Sequence, residues 1–301
     1  MTFTETDHTG LVSIILTTLN GARYLREAVD SCLGQTYQNI ELIMVDGGST
    51  DGTLDILATY DDPRMRIIHQ ENNVGKLPGA INLGLDNAHG EYLTWMQDDS
   101  IYHEKAIEKM VALLEANPEV GQVYADYWEI DAEGTVKKIL QAREPEEFLE
   151  VLGDPAGVCF MIRRSVREAV GPHDVSAYPS QDYDYRMRIA LQFPSLHIRE
   201  PLYSWRFHDI SLTGRLGWVA LAQKDIETRV KLGLATPQKA QRLLAEIDIA
   251  YAFDRYQHGQ LKEVPLLVWS GFKRDPSYAL NRGVWSILAK SLGYIVFSRA
   301  T

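Results

Sequence analysis

The sequence predicts an α/β protein with a mostly parallel central sheet flanked by helices, and three observations carry that reading. From Leu11 to about Trp128, short apolar runs alternate with segments of helical period, the pattern of parallel strands joined by crossover helices. Three polar clusters, TTLN, DGGSTDGT and QDDS, each directly follow one of those runs. Ligands of such sheets bind at the carboxyl ends of the strands, so the clusters point toward one crevice. At 301 residues with 45% hydrophobic content and no repeat or low-complexity run, the chain has enough apolar material to bury a large core.

The strand candidates, in order, are Val12 to Leu16, Glu41 to Val45, Arg66 to His69, Tyr92 to Met96 and Gln122 to Trp128. Tyr24, Leu25, Ala28, Val29, Cys32 and Leu33 share one helical face, and Ile107, Met110, Val111 and Leu114 mark another. The junction from Leu42 to Thr53, LIMVDGGSTDGT, is the most informative stretch. Its four apolar residues suit a strand buried on both faces, Gly47 and Gly48 permit a tight turn, and Ser49, Thr50 or Asp51 caps the helix that follows. Asp46 stands where a GxGxxG turn needs bare backbone beside a pyrophosphate, which excludes a dehydrogenase-type dinucleotide site.

After Ile130 the alternation weakens. Ala132-Glu133-Gly134-Thr135 reads as a hairpin turn, Cys159 to Arg163 as a strand, Asp182 to Leu191 as a helix and Tyr203 to His208 as another strand. Beyond Gly214 the chain becomes helical, with Thr236-Pro237 as cap and first residue of a long amphipathic stretch reaching Tyr256. The boundary is placed near Arg215, giving residues 1–215 as the main domain and 216–301 as a helical extension.

The net charge of −11 argues against nucleic acid as the main partner, because phosphate backbones are bound through a surplus of Lys and Arg. Cys32 and Cys159 lie among apolar neighbours and read as buried free thiols of a reducing compartment. The first ten residues, MTFTETDHTG, lack the basic start and apolar core of a secretory signal, so the expected location is cytoplasmic. No run reaches the ~18 to 20 apolar residues that span a bilayer.

Taken in order, SIILTTLN, VDGGSTDGT, NNVGKLPGAINLGLDNAHGEYLTWMQDDS, QDYDYRMR and WRFH closely resemble the motif series of the family 2 inverting glycosyltransferases of GT-A fold. The resemblance covers roughly Val12 to Arg215. It implies transfer of a sugar from a nucleotide diphosphate donor to an acceptor hydroxyl, with inversion at the anomeric carbon and with a divalent metal.

Each cluster has a role under that resemblance. The family's metal motif is Asp-x-Asp, often with a further Asp; here Met96 replaces the first acid, Gln97 is the spacer and Asp98 is retained as the metal ligand. Asp98 and Asp99 close the fourth strand, where neighbours point to opposite faces, so Asp99 supports Asp98 from behind. One carboxylate plus diphosphate oxygens suits Mg²⁺ or Mn²⁺. The pair also fits a helix cap near His103 or Glu104. His208 of WRFH matches the family's late Arg-x-His and completes the metal site, tilting the preference toward Mn²⁺.

Asp182 matches the aspartate of the family's Glu-Asp pair, the general base that takes the acceptor proton, with Gln181 in place of the Glu. Asp184 reads instead as a helix-start residue pairing with Arg186 or Arg188. Thr17, Leu19, Asn20, Asp46, Gly47, Gly48 and Gln97 are assigned to the nucleotide-sugar site. Lys76 is either a diphosphate contact or a solvated loop lysine. Asn82 is expected to bond backbone inside the fold, and Trp205 and Tyr178 either pack or stack on a sugar.

From Gly271 onward there are five basic residues and one acid. Val284, Ile287, Leu288, Leu292 and Ile295 share a helical face near Trp285, Tyr294 and Phe297, which reads either as an interfacial membrane helix or as a helix docked on its own domain. The Gln-x-x-Arg-Trp motif of processive enzymes is missing. The expectation is thus an enzyme transferring one sugar from a UDP- or dTDP-sugar to a glycan or lipid-linked acceptor. Its rivals are a non-catalytic sugar-nucleotide or glycan-binding relative, suggested by Met96 and Gln181, and a nucleotidyltransferase, disfavoured because no basic glycine-rich triphosphate loop lies near the N-terminus. Acceptor specificity is expected in Arg143 to Val158 and from Arg215 onward.

Overall fold

The computed structural model describes residues 9–70, 72–150, 157–208 and 212–298, and the chain divides into two compact units, residues 1–214 and 215–301. Most of the N-terminal decapeptide, residues 151–156 of the expected acceptor loop, and the side chains of Ile295 and Phe297 lie outside the described ones.

The first unit is built on one nine-stranded sheet. Its strands are β1 (Val12–Thr18), β2 (Ile40–Asp46), β3 (Met65–His69), β4 (Tyr92–Gln97), β5 (Ile101–Tyr102), β6 (Gln122–Ile130), β7 (Val136–Leu140), β8 (Cys159–Arg163) and β9 (Ser195–Arg206). They lie in the order β3-β2-β1-β4-β8-β6-β9-β5, with β7 beside β6. The four strands β3-β2-β1-β4 are parallel, as is the pair β6 and β9, whereas β8 runs antiparallel between β4 and β6. The first unit's helices are α1 (Leu25–Leu33), α2 (Thr53–Leu57), α3 (Lys76–Asp86), α4 (Ala106–Ala116), α5 (Arg164–Val170) and α6 (Gln181–Ala190).

Strand alternation explains where the core lies. Every residue of β1 is buried, because helices cover both faces of the parallel half. Val12, Ile14 and Leu16 join Leu42 and Met44 in a cluster with Leu25, Ala28, Val29 and Cys32 of α1 and with Ile107, Met110, Val111 and Leu114 of α4. On the opposite face, α3 comes so close to the sheet that a Cβ on Gly84 would stand 2.4 Å from Ile15 Cγ2 and 3.2 Å from Val45 Cγ2. The close approach at that crossing therefore needs a residue without a side chain at this point.

Two elements extend beyond their sequence expectation. The strand expected over Tyr203 to His208 begins at Ser195, and its pairing with β6 jumps from Ala125↔Ile198 to Asp126↔Pro201. The extra residues, Arg199 and Glu200, bulge outward as exposed charges, which is why the segment does not read as a strand by alternation. The fourth strand stops at Gln97, so Asp98 and Asp99 sit in the turn after it and not on opposite strand faces. Nor do they cap a helix, since α4 starts at Ala106 with Lys105 as its N-cap.

The second unit comprises α7 (Leu212–Lys231), α8 (Pro237–Gln257), α9 (Val264–Arg274) and α10 (Arg282–Ser298). Thr236 caps α8 by accepting from the Lys239 amide at 3.2 Å, with Pro237 as first helical residue. Val284 and Ile287 of α10 are buried with Val264, Val268, Ile249 and Ala252, and Leu288 packs against them. Of the two readings of that helical face, Val284, Ile287 and Leu288 follow the docked one and belong to the internal core of this unit, whereas Leu292 is 47% exposed. Burial among apolar neighbours satisfies those three without a bilayer.

Replacing Gly84 by Ala gains about 1 kcal/mol of helix propensity, yet the new methyl meets two side chains that are themselves buried and cannot retreat. Overpacking of this kind costs up to about 3 kcal/mol. The expected net loss is about 1–2 kcal/mol, read as a lower urea midpoint at unchanged slope.

Candidate active site

The loops after β1, β2 and β4 meet at one end of the sheet and are tied together by hydrogen bonds. Asn20, in left-handed backbone at φ 57°, donates its amide to Ser49 Oγ at 2.8 Å and accepts from the Thr50 amide at 2.8 Å. The Gly47 amide donates to the Thr18 carbonyl at 2.8 Å. Leu19 projects from this clasp, 46% exposed, beside the backbone of the glycine turn. Thr17 is buried at the strand end.

Asp46 faces inward. Its carboxylate is 1% exposed, accepts from the amides of Gly48 and Ser49 at 3.2 Å, and has His69 Nδ1 at 3.7 Å from it. The carboxylate shapes the loop, and what the loop offers to a ligand is the backbone of Gly47 and Gly48 and the Ser49 side chain. The N-cap of α2 is Gly52 and not Ser49, Thr50 or Asp51, although Asp51, one residue earlier, accepts from the Thr53 amide at 2.9 Å.

The turn after β4 carries the negative charge. Asp98 Oδ2 accepts from Thr18 Oγ1 at 2.5 Å, and a Cβ on Gly21 would stand 1.9 Å from the same oxygen. The glycine that follows TTLN is thus the space into which Asp98 fits. Burial, reinforced by the charge of Asp99, pushes the Asp98 carboxyl up to about 7 against the pull of the Thr18 hydrogen bond. Asp99 turns the other way: its Oδ2 lies 3.2 Å from Nε2 of His208, so the histidine expected beside Asp98 stands against Asp99 instead. The His208 ring also lies 5.3 Å from that of Tyr24.

Arg206 fixes this arrangement. Its guanidinium, 1% exposed, donates to the carbonyls of Asp99 at 2.9 Å and Ala132 at 3.1 Å and to Glu27 at 2.7 Å. Met96, at the position of the family's first acid, is 3% exposed and turned into the core, its sulfur 3.2 Å from Cys32 Sγ. Cys32 and Cys159 are both buried free thiols, and burial pushes both well above the ordinary thiol range.

On the other face of β4, Trp95 and Gln97 look toward α6. Trp95 Nε1 donates to Asp182 Oδ1 at 3.2 Å, and Gln181 Nε2 donates to Asp182 Oδ2 at 2.8 Å. Trp95, Gln97, Phe160, Asp182 and Arg186 line a cavity of about 30 Å³. Arg186 is buried, donates to Gln122 at 2.9 Å and lies over the Phe160 ring at 3.3 Å. Asp184 is fully buried and paired with Arg188 at 2.9 Å.

The residues singled out in the sequence are therefore only partly brought together. Asn20, Gly47 and Gly48 share the clasp, Asp98 reaches back to the first strand, and Gln97 and Asp182 share a cavity. Lys76, in left-handed backbone at φ 56°, lies apart in these contacts, with its ammonium 4.6 Å from the centre of the Tyr178 ring. Asn82 bonds the backbone of His173 through both its amide atoms, at 2.9 and 2.8 Å. Trp205 packs on the core beside Phe207. Thr18, Gly21, Trp95 and Arg206 were not singled out by role. Trp95 was legible from alternation alone, since it precedes Gln97 by one strand period.

A divalent cation is compatible with these side chains. Asp98, whose carboxyl is raised mainly by burial, and the neighbouring Asp99–His208 pair offer hard oxygen and imidazole donors on one turn, although no group of three such side chains is closely enough arranged to form a full protein site among the described residues. Ions that take most of their ligands from substrate phosphates need no more.

Comparison with known proteins adds an independent line. The model of the family described as glycosyl transferase family 2 matches residues 13–171. An uncharacterized glycosyltransferase of Rickettsia typhi is 33% identical over 220 residues, 69% of this chain and 68% of that protein. One from Rickettsia felis is 33% identical over 213 residues, 66% of this chain, and the chain spans only 34% of its length. Among solved structures, Staphylococcus aureus TarS 1–349 in complex with UDP-GlcNAc is similar over 94% of this chain and 91% of its own, with TM-score 0.61 at 13% identity. The mannosyltransferase PcManGT of Pyrobaculum calidifontis, in complex with GDP-Man and Mn²⁺, is similar over 95% and 80%, with TM-score 0.60 at 19% identity.

The raised Asp98 carboxyl makes a stability prediction. An unfolded aspartate loses its proton near 3.9, whereas the native one keeps it to about 7. The native state binds the extra proton between those values, so this group makes stability fall as pH rises through that window. In metal-free buffer, Asp98→Asn is expected to flatten the fall and to melt above the wild type at pH 8. A wild-type melting point that does not decline from pH 5 to 8, or a variant that tracks it, refutes the assignment.

Proposed function

Because the chain belongs to glycosyltransferase family 2 and has the GT-A fold, we propose that it moves a single sugar from a nucleotide diphosphate sugar to a hydroxyl of a glycan or lipid-linked acceptor. The observation that carries this reading is the pairing of two carboxylate settings at the end of one strand: Asp98 and Asp99 on the turn, and Asp182 on the cavity beside Gln97. Inversion at the anomeric carbon requires a base on the acceptor side and charge neutralisation on the leaving side. Those are the two settings. A divalent ion, Mn²⁺ or Mg²⁺, supplies Lewis-acid neutralisation of the departing diphosphate when bound by Asp98, Asp99 and His208.

Asp182 is the proposed base. Two N–H donors, one to each of its oxygens, orient it on the cavity, where it accepts the proton of the incoming hydroxyl as that oxygen attacks the sugar. On the donor side, Thr17, Leu19 and Asn20 with the Gly47-Gly48 turn are assigned to the nucleoside, and Gln97 and Asp98 to the sugar diphosphate. Met96 and Gln181 do not speak against activity. The first is a buried residue whose sulfur packs on Cys32 and which also lines the cavity beside Asp182, and the second supplies a hydrogen bond that a glutamate would have to share a proton to make. Among the described residues no helix is long and apolar enough to cross a membrane, which fits a non-processive enzyme working in the cytoplasm.

The test is thermal stabilisation by UDP-, dTDP- and GDP-sugars with and without Mn²⁺. A nucleotide that binds the native state raises the melting point with occupancy. Stabilisation that needs the metal and disappears in Asp98→Ala is expected, together with Asp182→Asn that retains it but turns over ~10²- to 10⁴-fold more slowly. Absence of any shift at saturating nucleotide sinks the donor site.

Gln181 gives a sharper expectation. In Gln181→Glu a second carboxyl stands against Asp182, the pair shares a proton, and the base titrates higher. The acid limb of the kcat–pH profile should move upward while donor affinity stays unchanged. An unmoved limb removes Asp182 from the role of base.

A further inference from the structure

Charge is divided unevenly along this chain. Residues 215–301 hold 13 basic and 7 acidic residues, a net +6, whereas residues 1–214 carry −17. Such asymmetry marks a partner surface of its own for the basic part. On α9 the core side is made by Val264 and Val268. Leu266, Trp269 and Lys273, spaced i, i+3 and i+7, form the opposite face, with Leu266 77% and Trp269 59% exposed. The face continues across the next turn. Phe272 lies 5.3 Å from the Trp285 ring, and Trp285, 48% exposed, donates its indole N–H to the Ala279 carbonyl at 2.7 Å, beside Leu280 at 87% exposure and the exposed Arg282.

Large apolar side chains rimmed by cations are not an ordinary solvated surface. Tryptophan combines an apolar body with one N–H donor, and lysine and arginine combine apolar stems with charged ends; these are the side chains that settle at the level of lipid headgroups. We propose that the outward face of α9 and the corner leading into α10 dock this protein on an anionic lipid bilayer, with Leu266, Trp269, Leu280 and Trp285 entering the interface and Lys273 and Arg282 on headgroup phosphates. A two-fold contact between copies through the same face would bring those cations together, which opposes it. The surface is distinct from the buried Val284 and Ile287 face, and it stands whether or not the first unit transfers sugar.

The experiment is cosedimentation of the full chain with phosphatidylcholine vesicles, with and without phosphatidylglycerol, at low and high salt. Binding is expected only with the anionic lipid, weakening with salt and accompanied by a blue shift of tryptophan emission. Lys273→Ala should weaken it ~5-fold and Trp269→Ser at least ~10-fold, both with wild-type melting points because the residues are exposed. Ile139→Ser, on the exposed face of β7 in the first unit, should bind like the wild type. Failure to bind anionic vesicles at low salt, equal binding to neutral ones, or wild-type binding by Trp269→Ser overturns the proposal. So does a dimer in sedimentation that Trp269→Ser dissolves, which would assign the face to a second copy.

Discussion

One buried guanidinium holds the candidate site together. Arg206 ends the longest strand of the sheet and has its charge enclosed, so every donor must find a partner or the burial becomes costly. It finds them in three parts of the chain distant in sequence: the carbonyl of Asp99, the hairpin carbonyls at Asp131 and Ala132, and Glu27 on α1, with Tyr24 stacked beneath at 4.3 Å. His208 lies two residues further on. Its approach to Asp99 is therefore set by an arginine that touches nothing reactive, and loss of that arginine would free the acidic turn and the histidine together. This explains why an Arg-x-His pair is needed where a lone histidine would supply the same imidazole.

The parallel half of the fold was legible because its physics is local. Continuous apolar runs such as LIMV bury both faces, and helical spacing in α1 and α4 puts Cys32 or Met110 where the core needs them. Where long-range contacts decide, the sequence was opaque. The insertion of β8 between β4 and β6 depends on a pairing over many residues, and the bulge at Arg199-Glu200 exists because Arg199 pairs with Glu144 outside the sheet. The C-terminal amphipathic face was legible as a face, while the choice between a bilayer and the chain's own core as its cover was not; Val284, Ile287 and Leu288 take the core. Periodicity tells which residues point together and is silent about what covers them.

The candidate site divides in the same way. Polar and glycine-rich loop chemistry after the strands singled out Asn20, Asp46, Gly47 and Asp98 as candidates, and the resemblance to the family's Glu-Asp pair singled out Asp182. Neither identified which acids are consumed by the fold. Asp46 and Asp184 are both enclosed and satisfied, by backbone amides and by Arg188. Asp98 and Asp182 are instead held by neutral donors, Thr18 for the first and Trp95 and Gln181 for the second, with no cation paired to either in these contacts. Satisfaction, more than residue type, separates scaffold from site.

That criterion extends to the cations. A diphosphate entering the crevice meets a unit of net charge −17, with the Asp98 carboxyl already raised by burial and, secondarily, by Asp99. Among the described residues, Arg206 is engaged by Glu27 and carbonyls, Arg186 by Gln122 and Phe160, and Lys76 by the Tyr178 ring. Like charges a few ångströms apart in a partly dry cleft repel by several kcal/mol, on the order of 4 at an effective dielectric of 20. These three cations of the first unit are thus already engaged where a nucleoside diphosphate would call on them. Under the proposed reading, the counter-charge has to arrive with the donor, so donor affinity and not only turnover should depend on a divalent ion.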